Sequence, residues 1–258
     1  MSEQHHGRNW KKIVAILLII AIGVPSVLYL LKMRGYETIE VNGTTRQYQI
    51  FIPSGYNPDH PSPLLLGLHG AGGDAGQFRR SSGFDAVAEA QNFIVVYPDG
   101  MGTLKYAFHT WNSGEIPKRT ANDVEFLVTL IGYLQAHYRI NASQIYMVGH
   151  SNGAMMTYRM AGEHADLFAA IATVAGSVGS HEARTTTEYL IPTPIVPLKV
   201  IHVHGTDDQM VLFEGGEANE PRDYSICQRR DCNRTVFCIY FGRECFVGEV
   251  YRLNPCME

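Results

Sequence analysis

Three kinds of residue are missing from long parts of this sequence. No cysteine occurs in residues 1–216, no lysine in residues 217–258 and no histidine after His204. Charge is also sparse, because charged residues make up 18% of the chain and the net charge is −4. A chain without excess positive charge has no electrostatic basis for binding nucleic acid. Its 45% hydrophobic content over 258 residues excludes a disordered or collagen-like polymer and allows a sizeable core.

The cysteines are confined to the end of the chain, at Cys227, Cys232, Cys238, Cys245 and Cys256. Four, five, six and ten residues separate them in turn, so they lack the paired C-x2-C form of a zinc site. In an oxidising compartment they allow two disulfides and one free thiol. The abrupt change in composition also fits an alternative or misread C-terminal exon. We therefore treat residues 217–258 as an atypical cysteine-rich tail and leave its pairing open.

A long apolar run lies near the other end of the chain. Residues 13–31 carry no charge and follow a short basic segment, residues 1–12. At about 1.5 Å per residue the run reaches about 28 Å, close to the thickness of a bilayer core. It is longer than the apolar region of a typical cleaved signal peptide. We predict a transmembrane or signal-anchor helix that directs the protein into the secretory pathway and anchors it in the membrane with the hydrophilic part outside. If this segment is cleaved, the protein is secreted.

The middle of the chain, residues 36–216, alternates strand and helix patterns. It opens with two strand-like segments joined at Asn42-Gly43, a strong hairpin signal. Buried strands are then predicted at 64–70, 93–100, 144–149, 169–176 and 198–205, and helices at 84–91, 120–138 and 152–164. Such alternation predicts a mainly parallel sheet with helices on both faces.

A candidate nucleophile lies between the fifth predicted strand and the following helix. Residues 149–153 read Gly-His-Ser-Asn-Gly, the G-x-S-x-G pattern, with Ser151 at its centre. At a strand-to-helix junction this pattern forms a sharp turn that exposes the serine hydroxyl, and its glycines avoid collisions in the crowded turn. The N-terminus of the helix offers N–H groups to a developing oxyanion.

A glycine-rich loop follows the third predicted strand, where hydrolases with such a turn place an oxyanion donor. The backbone N–H of Ala71 or Gly72, together with that of Asn152, is the predicted oxyanion hole. A dinucleotide-binding loop is the alternative, because residues 70–75 fit G-x-G-x-x-A and Asp99 ends the next strand. That alternative leaves the turn at Ser151 unexplained.

A candidate acid follows the seventh predicted strand, where His204 is followed by Gly, Thr, Asp207 and Asp208. Its position along the chain, two strands after the serine, matches the order serine, acid, histidine of α/β-hydrolases. An aspartate there would orient a catalytic imidazole and stabilise its charged form. The two adjacent aspartates also fit a simple turn.

Several segments together resemble the esterase family that includes polyhydroxybutyrate depolymerases and secreted feruloyl esterases. The resemblance covers about residues 37–216 and rests on LHGAGGDAGQF, VVYPDG, Trp111-Asn112, ANDVEFL, INASQIYMVGHSNGAMMTYRMA, FAAIATVAG and VIHVHGTDDQMVLFEGG. It implies an α/β-hydrolase that cleaves a small-molecule or polymeric carboxylic ester without a metal or organic cofactor. It further implies Ser151 as the nucleophile and Asp208, four residues after His204, as the acid.

The family's catalytic histidine has no counterpart, because it lies beyond the acid and this sequence has no histidine there. We therefore expect the chain to lack the usual C-terminal strand and helix, which would expose a sheet edge. His181, a few residues after the sixth strand, is the substitute to consider. A triad needs contacts of about 2.6–3.2 Å to serine and acid, and we expect replacement of His181 to leave activity unchanged.

Three hypotheses for function remain. The first is a serine esterase; the second is a non-catalytic pseudoenzyme or truncated gene product; the third is a related serine peptidase or thioesterase. Loss of the histidine costs a serine hydrolase about 10⁶-fold in turnover, so its absence favours the second hypothesis. The serine turn, oxyanion loop and acid favour the first. Tyr106, Phe108 and Trp111 are candidates to line an acyl or aromatic site, with simple loop packing as the alternative.

Overall fold

The computed structural model describes residues 14, 17, 35–104, 107–114, 121–181, 188–213, 234–241 and 244–251. The predicted membrane helix at residues 13–31 lies outside this set except for two positions. Within the described residues, no helix is long and apolar enough to cross a membrane. The chain divides into two units, Met1–Tyr36 and Glu37–Glu258, and the fold that follows is that of the second.

A nine-stranded sheet forms the centre of this unit. The strands along the chain are β1 (Tyr36–Val41), β2 (Thr44–Phe51), β3 (Ser62–Leu68), β4 (Ile94–Pro98), β5 (Met101–Leu104), β6 (Ala107–Thr110), β7 (Ile140–His150), β8 (Ala170–Val174), β9 (Gly179–His181), β10 (Glu188–Leu190), β11 (Lys199–Gly205), β12 (Arg234–Phe241) and β13 (Glu244–Tyr251). The large sheet has the order β1-β2-β4-β3-β7-β8-β11-β12-β13, while β5 pairs with β6 and β9 with β10. Strands β4, β3, β7, β8 and β11 are parallel to one another, as the alternating pattern predicts, whereas β2 pairs with β4 in the antiparallel direction.

Helices cover both faces of this sheet. They are α1 (Ala75–Ser82), α2 (Phe84–Gln91), α3 (Asp123–His137) and α4 (Asn152–Glu163). Leu64 and Leu66 on β3 belong to one buried cluster with Phe126 of α3 and Met156 of α4. Gly67 lies between Leu66 and Leu68 on the same strand, and a side chain there would meet Phe78 of α1 rather than α3 or α4. Because alternate strand residues point to opposite faces, α1 lies on one face and α3 and α4 on the other.

Most predicted elements are present with bounds shifted by a few residues. The turn at Asn42-Gly43 has both residues at positive φ, 49° and 75°, as a two-residue hairpin requires. Asn122 caps α3 by accepting the Glu125 N–H at 3.2 Å. Helix α1 is absent from the sequence-based expectation, which placed residues 70–76 in a loop. It begins because Asp74 accepts the Gln77 N–H at 2.8 Å, a local N-cap inside a glycine-rich stretch.

The expectation of an exposed edge after the seventh strand of the large sheet is wrong. Two strands of the cysteine-rich tail, β12 and β13, extend the sheet, and Val200–Gly205 of β11 pairs with Thr235–Tyr240 of β12. Both pairings are antiparallel, so β12 does not continue the parallel order of β3 to β11. Among the residues that the structure describes beyond β11, none is helical. The usual last helix is therefore not found there, whereas the edge of β11 is covered.

Candidate active site

Ser151 occupies a strained backbone position between β7 and α4. Its φ and ψ are 52° and −123°, a combination that is rare for a residue with a side chain. The Ser151 N–H donates to the Val174 carbonyl at 2.8 Å, which fixes the turn against the end of β8. Strain of this kind costs about 1–3 kcal/mol and is concentrated at functional sites.

The two glycines around Ser151 are required by close backbone contacts. A Cβ atom at Gly149 would lie 2.2 Å from the Gly153 carbonyl oxygen. A Cβ atom at Gly153 would lie 2.4 Å from the His69 oxygen and 2.6 Å from the Leu68 oxygen. Strand β7, helix α4 and the end of β3 therefore approach each other too closely for any side chain, as the G-x-S-x-G pattern predicts.

The glycine-rich loop after β3 borders the same turn, as expected for an oxyanion hole. The Gly72 N–H is already engaged, because it donates to the His109 carbonyl oxygen at 2.7 Å. In the described part of the chain, the N–H groups of Ala71 and Asn152 donate no hydrogen bond. Of the predicted donors, Ala71 and Asn152 are thus the pair whose N–H groups are available to a ligand.

The Asn152 side chain has a structural role that the sequence-based analysis missed. Its Oδ1 accepts from Trp111 N at 2.7 Å and Thr110 Oγ1 at 3.1 Å. Its Nδ2 donates to the Trp111 carbonyl at 3.2 Å and Ser113 Oγ at 3.1 Å. All of its hydrogen-bonding capacity is used to hold the 110–113 segment against the start of α4. The sequence signal for this role was the pair Trp111-Asn112, a family motif whose backbone the Asn152 side chain holds.

A buried ion pair holds the same segment from the other side. Arg46 Nη2 donates to Asp123 Oδ1 at 2.6 Å, and Asp123 Oδ2 accepts the Asn112 N–H at 2.6 Å. Arg159 Nη1 adds a bond to the Asn112 carbonyl at 2.8 Å. Burial lowers the pKa of Arg46, and the neighbouring Asp123 carboxylate opposes that effect. The side chains of α3 and α4 therefore fix the loop that supports the turn at Ser151.

A cavity of about 420 Å³ opens beside Ser151. Its walls come from the glycine-rich loop at residues 69–73, from α1 and from the exposed ring of Phe108, and include Gln77, Phe78 and Ser81. Phe108 is therefore at the position predicted for a site-lining aromatic residue. Trp111 is fully buried and donates from Nε1 to the His69 carbonyl at 2.9 Å, so for Trp111 the packing alternative is correct. Tyr106 lies outside the described residues.

Asp208 lies in a turn just after β11, at the same edge of the sheet as Ser151. Its Oδ1 accepts from Met210 N at 2.9 Å and from Val211 N at 3.0 Å. Its Oδ2 lies 3.5 Å from His204 Nε2, and the side chain is 20% exposed. The two backbone hydrogen bonds are those of a turn-forming aspartate, the alternative that the sequence also allowed for this residue. The nearby imidazole of His204 belongs to the preceding strand, β11.

His204 and His202 form a hydrogen-bonded chain, and its bonds engage the ring nitrogens that a triad histidine would need. His204 Nε2 lies 2.5 Å from the Val211 carbonyl, and its Nδ1 lies 3.0 Å from His202 Nε2. His202 Nδ1 in turn accepts from Tyr158 Oη and Thr173 Oγ1, both at 2.9 Å. With both rings neutral, all of these bonds are satisfied when the proton of each histidine is on Nε2.

Protonation of His202 is expected to destabilise the fold in mild acid. Burial, followed by the nearby His204, lowers the pKa of His202 to about 4 from its ordinary value of 6.5. The unfolded chain therefore binds the proton first, and stability falls as the pH drops from about 6.5 to 4. A shift of this size on a fully buried group corresponds to about 3 kcal/mol. Because His202 is partly exposed, we expect about 1–2 kcal/mol.

Denaturant unfolding of the parent, His202→Gln and His60→Asn at pH 7, 5.5 and 4.5 measures this contribution. His60 is an exposed loop residue, so its variant should follow the parent. The His202→Gln protein should lose less stability than the parent over this range. Parallel curves for all three proteins would show that His202 does not contribute.

The described histidines leave one role unfilled. In the described part of the chain, no ring nitrogen hydrogen-bonds to Ser151 Oγ. His69 is adjacent, but its Nδ1 bonds to the Gly70 carbonyl at 2.7 Å and its Nε2 accepts the Gly100 N–H at 3.0 Å. Burial lowers the pKa of His69, which favours the neutral ring. His181 ends strand β9, and its side chain lies outside those described.

One group of described residues has the composition of a metal site, and the sequence-based analysis missed it. His69, Asp99 and His109 are all buried, and their candidate ligand atoms lie within 4.8 Å of one another. The sequence places them at the ends of three separate strands, without a local spacing motif. Asp99 accepts the Ala75 N–H at 2.6 Å and so anchors the start of α1. The dinucleotide alternative does not predict this structural role for Asp99.

Comparison with known proteins agrees with this architecture. Residues 82–194 match the prolyl oligopeptidase family. The native structures of sOPH and pOPH superpose with TM-scores of 0.57 and 0.54, at 17% and 15% identity. Each covers 76% of this chain, which covers 72% of each of them. These two likenesses concern the fold alone.

Three curated relatives extend the match. NocK of Nocardia uniformis subsp. tsuyamanensis, which carries an esterase designation, is 32% identical over 183 residues, 69% of this chain and 49% of NocK. The bifunctional acetylxylan esterase/xylanase XynS20E of Neocallimastix patriciarum is 28% identical over 83% of this chain and 29% of its own length. Poly(3-hydroxyalkanoate) depolymerase C of Paucimonas lemoignei is 28% identical over 69% of this chain and 42% of its own length.

This chain therefore spans half or less of the length of each of these relatives. Feruloyl esterase B of Talaromyces stipitatus is also similar, at 25% identity over 163 residues. The resemblance drawn from the motifs is confirmed: the protein has the α/β-hydrolase fold and is related, over part of its length, to feruloyl esterases, acetylxylan esterases and polyhydroxyalkanoate depolymerases.

Proposed function

We propose that this protein is a carboxylic ester hydrolase in which Ser151 is the nucleophile. The observation that carries the proposal is the strained turn at Ser151, with φ at 52° between two glycines that admit no side chain. Such a turn holds a hydroxyl at the top of the sheet in α/β-hydrolases. The esterase names of the relatives support the same reaction class.

The reaction would proceed through an acyl-enzyme. Ser151 Oγ attacks the ester carbonyl carbon, the alcohol leaves with a proton, and water then hydrolyses the serine ester. The carbonyl oxygen becomes negative during each step and would be stabilised by the N–H groups of Ala71 and Asn152. The cavity beside Ser151, walled by Phe78 and Phe108, would hold one side of the ester.

Asp208 is proposed as the acid that orients the general base. No described imidazole fills the role of that base, since His204 and His69 are both engaged elsewhere. A complete triad therefore requires a histidine outside the described side chains, and His181 is the candidate that this sequence offers. The pseudoenzyme hypothesis rests on the same gap.

Covalent labelling tests the nucleophile directly. The full chain is incubated with p-nitrophenyl acetate, and the acetylated peptide is mapped by mass spectrometry. We expect an acetyl group on Ser151, because the oxyanion hole accelerates attack at this position alone. Acetylation only at surface lysines or at another serine would contradict the proposal.

A serine peptidase is the second candidate, since the matched family is that of prolyl oligopeptidase. Ester and amide hydrolysis use the same nucleophile and oxyanion hole, but an amide leaving group needs protonation by the general acid. The absence of a described histidine at Ser151 therefore favours esters, whose alcohols leave more readily. Parallel assays with an aryl ester and a peptide p-nitroanilide distinguish the two substrate classes.

Asp208→Asn is expected to lower ester turnover by at least about tenfold more than Asp207→Asn, because only Asp208 is proposed to orient the base. Asparagine retains an oxygen at the Oδ1 position, which accepts the bonds from Met210 and Val211, so the turn should persist. Steady-state kinetics on both variants, with circular dichroism to verify folding, make the comparison. A larger loss in Asp207→Asn would move the acid by one residue.

The location of the protein is also a proposal. The uncharged run of residues 13–31 and its basic flank support membrane anchoring with the hydrolase unit outside, or secretion after cleavage. We retain the division into segments 1–12, 13–31, 36–216 and 217–258 in the same sense. Strands β12 and β13 nevertheless join the last of these segments to the sheet.

A further inference from the structure

His109 is a buried side chain whose hydrogen bonding is incomplete. It is 7% exposed, and neither ring nitrogen has a hydrogen-bond partner. Buried polar atoms in folded proteins are nearly always paired, so an imidazole with two unpaired nitrogens needs an explanation. His109 borders a cavity of about 480 Å³, separate from the one beside Ser151, and Asp99 lines the same cavity.

Asp99 is a buried carboxylate beside this imidazole. It is 4% exposed, and its Oδ1 lies 3.4 Å from His109 Nδ1 and 3.8 Å from His69 Nε2. Arg46, which lines the cavity, is paired with Asp123 through its guanidinium and contacts Asp99 only at the backbone carbonyl. Counted with neutral imidazoles, these five described side chains hold two carboxylates and one guanidinium, a formal charge of −1. Buried charges are normally paired or bound to a metal ion.

Both separations from the Asp99 carboxylate suit a metal ion. Two ligands that each lie about 2.1 Å from a tetrahedral ion are about 3.4 Å apart. The separations from Asp99 Oδ1, 3.4 Å and 3.8 Å, are close to that value and too long for good hydrogen bonds. His69 also has the tautomer of a ligand. Its Nδ1–H donates to the Gly70 carbonyl at 2.7 Å, so the Nε2 that faces Asp99 is unprotonated.

We propose that His69 Nε2, Asp99 Oδ1 and His109 Nδ1 bind a divalent transition-metal ion of the zinc type. Two imidazoles and one carboxylate are a common protein ligand set for Zn²⁺, with a fourth position for water from the cavity. The ion would supply the missing positive charge and a partner for His109. At His69 it would replace the Gly100 N–H that now bonds to Nε2.

The position of this site indicates a supporting role for the oxyanion loop. His69 begins the loop, Asp99 binds the Ala75 N–H at its end, and the His109 carbonyl accepts the Gly72 N–H in its middle. An ion that joins these three side chains would fix the loop at three points. The site borders the second cavity, and its existence does not depend on ester hydrolysis.

Metal binding to the full chain tests the proposal. The protein is stripped with a chelator and titrated with Co²⁺, whose visible absorption reports ligand type and geometry, and the affinity for Zn²⁺ is measured by competition. We expect one equivalent of Co²⁺ with nitrogen and oxygen ligands, and a rise in Tm with Zn²⁺. His109→Phe should lower the affinity by at least about 100-fold, because it removes a ligand.

His109→Phe is also the safer variant for folding, since it removes two unpaired nitrogens and keeps a ring. Asp99→Asn serves as a second ligand variant with the same expected loss, and His60→Ala, at an exposed histidine, should bind like the parent. Absence of binding at micromolar ion would overturn the proposal and leave His109 bonded to water. Unchanged affinity in His109→Phe, or thiolate-to-cobalt charge transfer from the tail cysteines, would overturn it as well.

Discussion

Replacement of Ser151 by alanine is expected to abolish covalent acetylation of the protein by an activated aryl ester and the ester turnover that passes through it. The expectation follows from the backbone, because the turn at φ 52° presents this residue beside the two available N–H groups. Among the described residues that line the cavity, none but Ser151 combines a hydroxyl with that backbone position. Ser81, which lines the same cavity, provides the matched control, and Ser81→Ala should acetylate and turn over within about twofold of the parent.

The size of the loss in turnover reports on the general base. If a histidine lies in reach of Ser151, removal of the nucleophile should lower turnover by about 10⁶-fold. If the triad is incomplete, the parent already has only the acceleration of about 10³–10⁴-fold over water that the oxyanion hole and binding provide, and the substitution should change turnover little. A ratio near the larger value would direct attention to His181, and His181→Ala should then be equally damaging. A ratio near one, with acetylation still lost, would identify a nucleophile without a base. Undiminished acetylation in Ser151→Ala would contradict the assignment.

The sequence predicts the part of the fold that depends on periodicity and chain order. Strands such as β3 and β4 are short apolar runs buried on both faces, and that pattern is visible without a structure. The turn at Ser151 is equally local, because Gly149 and Gly153 are needed for contacts between adjacent elements. The large sheet also has Ser151 after its fifth strand and Asp208 after its seventh, as the alternating pattern predicts.

What the sequence does not predict depends on pairing between distant segments. Strands β12 and β13 come from a tail without family resemblance, and their antiparallel addition to β11 depends on long-range register. The group of His69, Asp99 and His109 is drawn from three strand ends that only the fold brings together. Asp208 illustrates the same limit: its position after β11 is predictable, but its distance of 3.5 Å from His204 depends on the conformation of the turn between them.

Gly153→Ala is expected to damage both stability and activity. The added methyl group would lie 2.4 Å from the His69 oxygen and 2.6 Å from the Leu68 oxygen, which are backbone atoms that cannot rotate away. Relief requires α4 to move from the end of β3, and we expect a loss of about 2–4 kcal/mol in the free energy of unfolding. The same movement would separate the N–H groups of Ala71 and Asn152, and loss of one oxyanion donor costs about 10²–10³-fold in kcat.

Gly132→Ala is the matched control for this substitution. Gly132 lies on the exposed side of α3, and a Cβ atom there would have no neighbour within 4 Å. Alanine is favoured over glycine inside a helix, so this variant should be more stable than the parent by about 0.5–1 kcal/mol and should keep its activity. Denaturant unfolding and ester kinetics on the two variants apply the same chemical change to a crowded site and an open one. Because the two changes differ only in what the methyl group meets, equal effects would show that the contact of Gly153 with the end of β3 does not hold the turn in place.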